Sequence, residues 1–114
     1  MKISKNNAEH YSWGEHCDGW HLVKHNDLSI IHERMPPNTF EVRHYHERSR
    51  QFFFVLSGTA TLEVDGVSIQ LHPQEGYEVP PLVSHQMFNN TNQDVEFIVT
   101  SQPNSRIDRV LMSG

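Results

Sequence analysis

Two histidines stand two residues apart in the segment Glu41–His46, within a chain of 114 residues that contains nine histidines. Successive side chains of a β-strand point to opposite faces, so His44 and His46 would project from the same face. Two imidazoles placed in this way can both reach one divalent ion at about 2.0–2.1 Å. The spacing indicates a metal-binding pair, and it is equally compatible with two histidines on a solvated strand face.

Two longer segments around and beyond this pair carry spaced motifs. Residues 38–58 follow the pattern G-x5-H-x-H-x4-E-x6-G, and residues 74–89 follow G-x5-P-x-G-x2-H-x3-N. The residues that match are His44, His46, Gly58, Pro80, His85 and Asn89. With both motifs in this order, the sequence resembles the cupin superfamily, in its small single-domain form. The resemblance implies an all-β fold, an antiparallel double-stranded β-helix or jelly-roll barrel, here with an N-terminal arm.

The family's common ligand set is three histidines and one glutamate, and it falls on His44, His46, His85 and Gln51. Gln51 is then a neutral oxygen donor or no ligand at all. An ion held by neutral donors keeps a net charge of about +2, which disfavours Mg and Mn and favours Zn, Fe, Ni or Cu. The resemblance therefore implies one divalent transition metal as cofactor, and the missing carboxylate leaves open a site that has lost metal binding.

Three further positions depart from the motifs, because Asn38, Gln74 and Leu82 stand where the family has glycine. Asparagine tolerates the left-handed backbone conformation better than most residues. Leucine is strained there, since its side chain meets the backbone at positive φ. We therefore expect the turn at Leu82 to be built differently from the family's turn.

Short β-rich runs separated by turn residues make up most of the chain, and no stretch has clean helical periodicity. The runs are Trp20–His25, Leu28–Met35, Thr39–His46, Gln51–Leu56, Thr59–Val64, Val67–Leu71, Tyr77–Val79, His85–Asn89 and Val95–Ser101. Asp65 and Gly66, between two alternating runs, are a strong hairpin signal. Many short strands at this spacing predict an all-β sandwich or barrel. We expect one domain, 1–114, with its barrel core at about 20–101, arms at 1–19 and 102–114, and a short added strand within Arg106–Met112.

Strand parity also predicts what surrounds the candidate ligands. If Gln51 points inward, so do residues of the same parity on its strand and on neighbouring strands. The candidate substrate pocket consists of Phe53, Val55, Leu62, Met87, Asn89 and Phe97. The alternative is that these side chains only fill the barrel core. Arg48 and Arg50 either attract an anionic substrate at the mouth of the barrel or belong to a solvated rim.

The opposite parity of the same strand is also apolar, because it carries Phe52, Phe54 and Leu56. A strand that is apolar on both sides is covered on both sides. The resemblance to small cupins favours a homodimer that covers this face. The alternative is cover by the chain's own Tyr11 and by the two tryptophans of the segment Trp13–Trp20.

The segment Trp13–Trp20 predicts a tryptophan-anchored turn packed on the barrel. A weaker alternative is a second metal or redox site made of His16, Cys17 and His21. Cysteine and histidine at this tight spacing, without a partner pair, are a poor metal signature.

Charge and composition exclude several classes of function. Nine Lys and Arg against 14 Asp and Glu give a net charge of −5, so we expect no nucleic-acid partner. No run of about 18 apolar residues occurs, so we expect no membrane span. Cys17 is the single cysteine, which excludes an internal disulfide and favours a reducing compartment, the cytoplasm.

Three hypotheses about function follow. The first is a mononuclear metalloenzyme, dioxygenase-like or isomerase-like, that acts on a small oxygenated molecule with an anionic group as one option. The second is a module that binds or senses a small-molecule ligand without turnover. The third is a metal-free, epimerase-like cupin in which a histidine works with Tyr45 or Tyr77 as acid and base.

Overall fold

The computed structural model describes residues 1–112 and consists of strands joined by turns, with no helix in this range. The strands are β1 (Glu9–Trp13), β2 (Cys17–Lys24), β3 (Ser29–Met35), β4 (Thr39–Phe40), β5 (His44–His46), β6 (Arg50–Ser57), β7 (Ala60–Val64), β8 (Val67–Leu71), β9 (Gly76–Val79), β10 (His85–Asn89), β11 (Val95–Gln102) and β12 (Arg109–Leu111). The prediction of an all-β fold is confirmed. No helix within residues 1–112 is both long and apolar enough to cross a membrane.

The strands form two antiparallel sheets that face each other. The first sheet has the order β1-β2-β3-β11-β6-β9, and the second has the order β12-β5-β10-β7-β8, with β4 paired to β10. The core lies between the sheets and is built from the inward parity of each strand, for example Phe53 and Val55 on β6 and Met87 on β10. The predicted jelly-roll barrel is therefore confirmed, and its two-residue periodicity decides which side chains reach the site.

The β7–β8 hairpin turns at Asp65 and Gly66, as predicted. Their φ angles of 50° and 81° are the paired positive values that a tight two-residue hairpin turn requires. The hairpin fixes the register in which Leu62 faces Ile69.

The turn at Leu82 corrects the sequence-based expectation. Asn38, Gln74 and Leu82 have φ angles of 58°, 70° and 70°, so all three adopt the left-handed conformation that glycine takes most readily. The N–H of Leu82 donates to the carbonyl oxygen of His46 at 2.7 Å, which holds this turn against a strand of the site. The Leu82 side chain is 68% exposed, so it meets no packed neighbours, and the backbone strain of about 1–2 kcal/mol is accommodated rather than avoided.

The predicted strand Thr39–His46 is interrupted in the structure. It divides into β4 and β5, with Glu41 in the gap. The N–H of Glu41 donates to the carbonyl of Met87, and the Glu41 carboxylate accepts from the N–H of Met87 at 2.9 Å. The Glu41 side chain thus accepts a hydrogen bond from β10 that a backbone carbonyl would accept in a regular strand pair.

The N-terminal arm is part of the first sheet, where β1 and β2 form a hairpin at its edge. Cys17 is buried in the core, whereas His16 lies in the exposed hairpin turn with a φ of 62°. The structure therefore separates these two residues of the hypothetical second metal site. At the other end, the expected added strand exists as β12, paired with β5.

Candidate functional site

Three histidines converge where β5 meets β10. His85 pairs directly with His44 across the two strands, and His46 follows on the same face of β5. All three side chains are buried, and their ring centroids lie 4.4 to 5.7 Å apart. Among residues 1–112 they form the one cluster of three side chains able to hold a metal ion, with one ligand nitrogen from each within 4.8 Å of the others.

Hydrogen bonds set the direction of each ring. Nδ1 of His44 lies 2.8 Å from the carbonyl oxygen of Val42, and Nδ1 of His85 lies 3.1 Å from that of Val83. A carbonyl only accepts, so each Nδ1 carries the proton and each Nε2 keeps its lone pair. This tautomer is the one found in metal-binding histidines with a second hydrogen-bonding partner.

His46 gives the clearest test of whether the residues fit a metal. Its Nδ1 lies 3.0 Å from Oδ1 of Asp108, while its Nε2 is buried and has no hydrogen-bond partner in the described part of the chain. Two nitrogens bound to one ion at about 2.0–2.1 Å are at most about 4.2 Å apart, so small side-chain shifts bring the three rings to one ion. The donor set therefore fits a divalent transition metal.

Burial keeps the three imidazoles neutral. It lowers the pKa of His44 to about 3 and that of His85 to about 4, against the weaker opposing effect of their carbonyl partners. Burial also lowers the pKa of His46, although Asp108 opposes it. Since only neutral imidazole binds metal, the site is ready for an ion well below neutral pH.

Gln51 lies beside the histidines. Its Oε1 is 3.0 Å from Nε2 of His85, and its Nε2 donates to Oγ of Ser101 at 3.0 Å. With the proton of His85 on Nδ1, this contact joins two acceptors. Such a pair is satisfied by a shared cation or by an amide turned over so that its NH2 group donates to the imidazole.

Asp108 is a residue that the sequence-based reasoning missed. Besides His46, its carboxylate accepts from the N–H groups of Arg48 and Ser49, both at 2.8 Å. Burial alone would raise the pKa of Asp108, but these hydrogen bonds outweigh it and lower the pKa. Its only sequence signal is an acidic residue beside a predicted terminal strand, with nothing to indicate which histidine it meets.

A cavity of about 450 Å³ is lined by His44, His46 and Gln51, whereas His85 lies behind them and does not line it. Of the six expected pocket residues, Phe53 lines it, while Val55, Leu62, Met87 and Phe97 are core residues. The buried amide of Asn89 donates to three backbone carbonyls, those of Met35, Pro36 and Gln93. The cavity is lined mainly by the N-terminal strands and the C-terminal segment, which parity on β6 could not identify.

The cationic groups of the cavity also differ from those expected. Arg48 and Arg50 are exposed and do not line it, and Arg50 forms an ion pair with Glu78. Arg106 and Arg109 line it instead. The guanidinium of Arg109 lies 3.4 Å from Nδ1 of His44.

Two carboxyl groups and a phenol complete the wall. Glu33, Glu41 and Tyr11 line the cavity, whereas Tyr45 points the other way from its histidine neighbours and Tyr77 packs on the core. Burial raises the pKa of Glu33 to about 7. Burial and the nearby Glu33 charge raise the pKa of Glu41 to about 8. The tyrosine available to an acid–base mechanism is therefore Tyr11.

The same fold occurs in solved structures of low sequence identity. KdgF from a Halomonas species is 17% identical with a TM-score of 0.84, covering 93% of this chain and 96% of its own. A predicted oxalate decarboxylase from Thermotoga maritima is 20% identical with a TM-score of 0.81, covering 91% and 100%. A sugar phosphate isomerase of the cupin superfamily from Silicibacter pomeroyi is 19% identical with a TM-score of 0.78, covering 91% and 76%.

No curated protein matches the chain in sequence. A family model does match, and it covers residues 31–101, which run from β3 through the histidine strands to the end of the barrel. This segment contains both histidine motifs and most of the strands of the two facing sheets. By this match and by the fold, the chain belongs to the family of cupin domain proteins.

Proposed function

We propose that this chain binds one divalent transition metal at His44, His46 and His85 and acts as a metalloenzyme on a small oxygenated anion. The observation that carries the proposal is the buried Nε2 atom of His46, which has no hydrogen-bond partner among residues 1–112. Leaving such an atom unsatisfied costs about 1–3 kcal/mol, and a bound ion removes that cost.

Gln51 is the proposed fourth donor, through Oε1. The contact of this atom with the lone pair of His85 supports the assignment, because a shared cation turns an unfavourable pair of acceptors into two ligands. Three imidazoles and an amide oxygen favour Zn, Fe, Ni or Cu over Mg and Mn. A neutral donor set leaves the ion's full charge to attract an anionic ligand.

The cavity supports an oxygenated anion as the ligand. Arg106 and Arg109 offer planar guanidinium groups, which suit carboxylate or phosphate. The bound metal would polarise a ligand oxygen, as in isomerase-like or dioxygenase-like chemistry. The names of two structural neighbours, a sugar phosphate isomerase and a predicted oxalate decarboxylase, point to ligands of the same general kind.

Metal content tests this proposal. Protein purified without an affinity tag and supplied with Zn should hold about one ion per chain by elemental analysis. We expect His44→Ala and His85→Ala to lose most of it, because each removes one of three histidine ligands. His72→Ala is the matched control, since His72 is exposed and hydrogen-bonds only to Glu75. Equal metal content in all three variants would contradict the proposed site.

Two further assignments belong to this proposal. We place the protein in the cytoplasm, supported by a single cysteine that is buried and unpaired. We also propose that two copies associate through the outer face of the first sheet, where Phe52 is 43% exposed and stacks with Phe54.

A further inference from the structure

Glu33 and Tyr11 form a hydrogen-bonded pair in the wall of the cavity that His44 and His46 also line. The Tyr11 hydroxyl donates to Oε2 of Glu33 at 2.8 Å. Both residues line this cavity together with His44 and His46. Glu33 comes from β3 of the first sheet and the histidines from the second, so a ligand in the cavity would lie between the two sheets.

The N-terminal hairpin is shaped to admit the Tyr11 ring. Tyr11 faces Gly19 across β1 and β2, and a Cβ atom at Gly19 would lie 2.2 Å from Cζ of Tyr11. Any side chain at this position would therefore displace the ring from the cavity wall. The glycine is needed here for close approach, because it has no positive φ angle to explain it.

One oxygen of Glu33 remains available to a ligand. Within residues 1–112, the hydrogen bonds to this carboxyl group involve only Oε2. A half-buried carboxyl group with one oxygen bonded to a neighbouring hydroxyl destabilises the fold compared with an apolar residue. Because Glu33 lines the cavity, we attribute its presence there to a role in the site rather than to stability.

Glu33 has the properties of a general base near neutral pH. Burial raises its pKa to about 7, against the opposing effects of the Tyr11 hydrogen bond and of Arg109. An acid–base group works best when its pKa lies near the operating pH. The charged and titratable groups that face the same cavity are Glu9, Tyr11, His21, Lys24, Glu41, His44, His46, Arg106 and Arg109.

We propose that Glu33 is the acid–base group of this site and that Tyr11 is its positioning residue, which rests on the proposed function of the histidine centre. The Glu33 carboxylate takes a proton from a C–H bond next to a carbonyl of the ligand. The electron pair of that bond moves to the carbonyl oxygen and gives an enolate. Glu33 then returns the proton to carbon, so no oxidant or reductant is consumed.

The test uses pyruvate as the probe, because it is a small oxygenated anion with acidic C–H bonds. The full chain, supplied with Zn, is incubated with pyruvate in D2O, and the loss of methyl protons is followed by NMR. We expect Glu33→Gln to lower the maximal exchange rate by about 10²–10⁴-fold. Half-saturating pyruvate and Zn content should stay unchanged, which a merely structural defect would not allow. Glu33→Asp should restore part of the rate.

Tyr11→Phe distinguishes positioning from packing. It keeps the ring and removes the hydrogen bond that lowers the pKa of Glu33. The acidic limb of the rate–pH profile should therefore move to higher pH, with a smaller loss of maximal rate than in Glu33→Gln. Glu78→Gln is the control, because Glu78 is exposed and pairs with Arg50 outside the cavity.

Two outcomes would overturn the assignment of Glu33: no exchange by the wild-type protein above the rate without protein, or equal exchange by Glu33→Gln. The Zn content of the same samples is read separately. If the wild-type protein is found to hold no Zn, that result counts against the proposed metal site but not against the role of Glu33. Exchange that persists in such protein and is lost in Glu33→Gln still supports the acid–base role.

Discussion

At the scale of single residues, the site buries ionisable groups of two opposite kinds. Burial lowers the pKa of His44 to about 3 and of His85 to about 4, from the ordinary 6.5. It raises the pKa of Glu33 to about 7 and of Glu41 to about 8, from the ordinary 4.5. In both sets burial favours the neutral form. The pKa shifts of the histidines and of the carboxyl groups therefore make the stability of the protein depend on pH in opposite directions.

These shifts predict how the stability of the metal-free protein depends on pH. The histidines contribute stability that is complete above about pH 6.5 and is lost as pH falls, because the unfolded chain then binds their protons. The carboxyl groups contribute stability that is complete below about pH 4.5 and is lost as pH rises through their folded pKa values. The two slopes oppose each other between about pH 5 and 6.5. We expect a broad maximum there and a decline on both sides.

Urea unfolding of chelator-treated protein between about pH 4 and 8.5 measures this profile. Between about pH 5 and 7, which lies between the unfolded and folded pKa values of Glu33, the free energy of unfolding of Glu33→Gln should rise relative to that of the wild-type protein by roughly 1 kcal/mol per pH unit. Glu78→Gln removes an exposed carboxylate and should follow the wild-type profile. A wild-type stability that still rises through pH 8, or a Glu33→Gln profile parallel to it, would contradict the assigned burial.

At this scale, the sequence predicted contacts between residues close together in the chain and missed contacts between distant ones. His44 and His46 could be placed on one face because a strand alternates with a period of two. The inward parity of Gln51 followed from the same rule. Asp108 could not be placed, because its contact with His46 joins positions 62 residues apart. Glu33 was missed for a related reason. Its assignment as a site residue depends on its hydrogen bond to Tyr11, which lies on another strand.

At the scale of the elements, the turn at Leu82 keeps a strained backbone next to the site. We expect Leu82→Gly to stabilise the protein by about 0.5–1 kcal/mol, because glycine removes the left-handed strain at a φ of 70°. Little packing is lost, since the leucine side chain is exposed. Thermal unfolding would measure the change.

Val67→Gly is the matched control for this prediction. Val67 is 62% exposed, so truncation there also removes little packing, but it lies in strand β8 with ordinary backbone angles. Glycine loses more backbone freedom on folding than any other residue, and Val67 has no positive φ to relieve, so this variant should melt at a lower temperature than the wild-type protein. If Leu82→Gly destabilised the protein as Val67→Gly does, this result would contradict the claim that backbone strain at Leu82 lowers the stability of the wild-type protein.

Element boundaries could be predicted where turn chemistry marks them. Asp65 and Gly66 identified the β7–β8 hairpin, and the two-residue alternation around them fixed its faces. The break at Glu41 had no such marker, because it arises from a side chain that bonds to the backbone of β10. The hairpin of β1 and β2 was expected only as an arm, since its pairing depends on an exposed sheet edge that no local pattern reveals.

At the scale of the whole molecule, the outer face of the first sheet carries a pair of aromatic side chains at the surface. Phe52 and Phe54 stack on this face with ring centroids 6.2 Å apart. Trp20 does not cover them, because two strands separate β2 from β6 and its ring packs between His10 and His32. Of the chain's own N-terminal aromatic residues, Trp20 therefore does not cover this face, and Tyr11 lines the cavity instead.

A homodimer through this face is the expected assembly, because the stacked phenylalanines form an exposed apolar patch of the kind that marks interaction sites. Phe54→Glu should convert the dimer to a monomer, since burying its charge in the interface without a partner is costly. Phe40→Glu makes the same change on the second sheet, where Phe40 is 60% exposed, and should leave the dimer intact. Sedimentation velocity at micromolar concentration distinguishes these outcomes.

Bound Zn should be unchanged in both variants, because both side chains lie outside the cavity. A monomeric wild-type protein, or equal dissociation of both variants, would mean that this face does not carry the association.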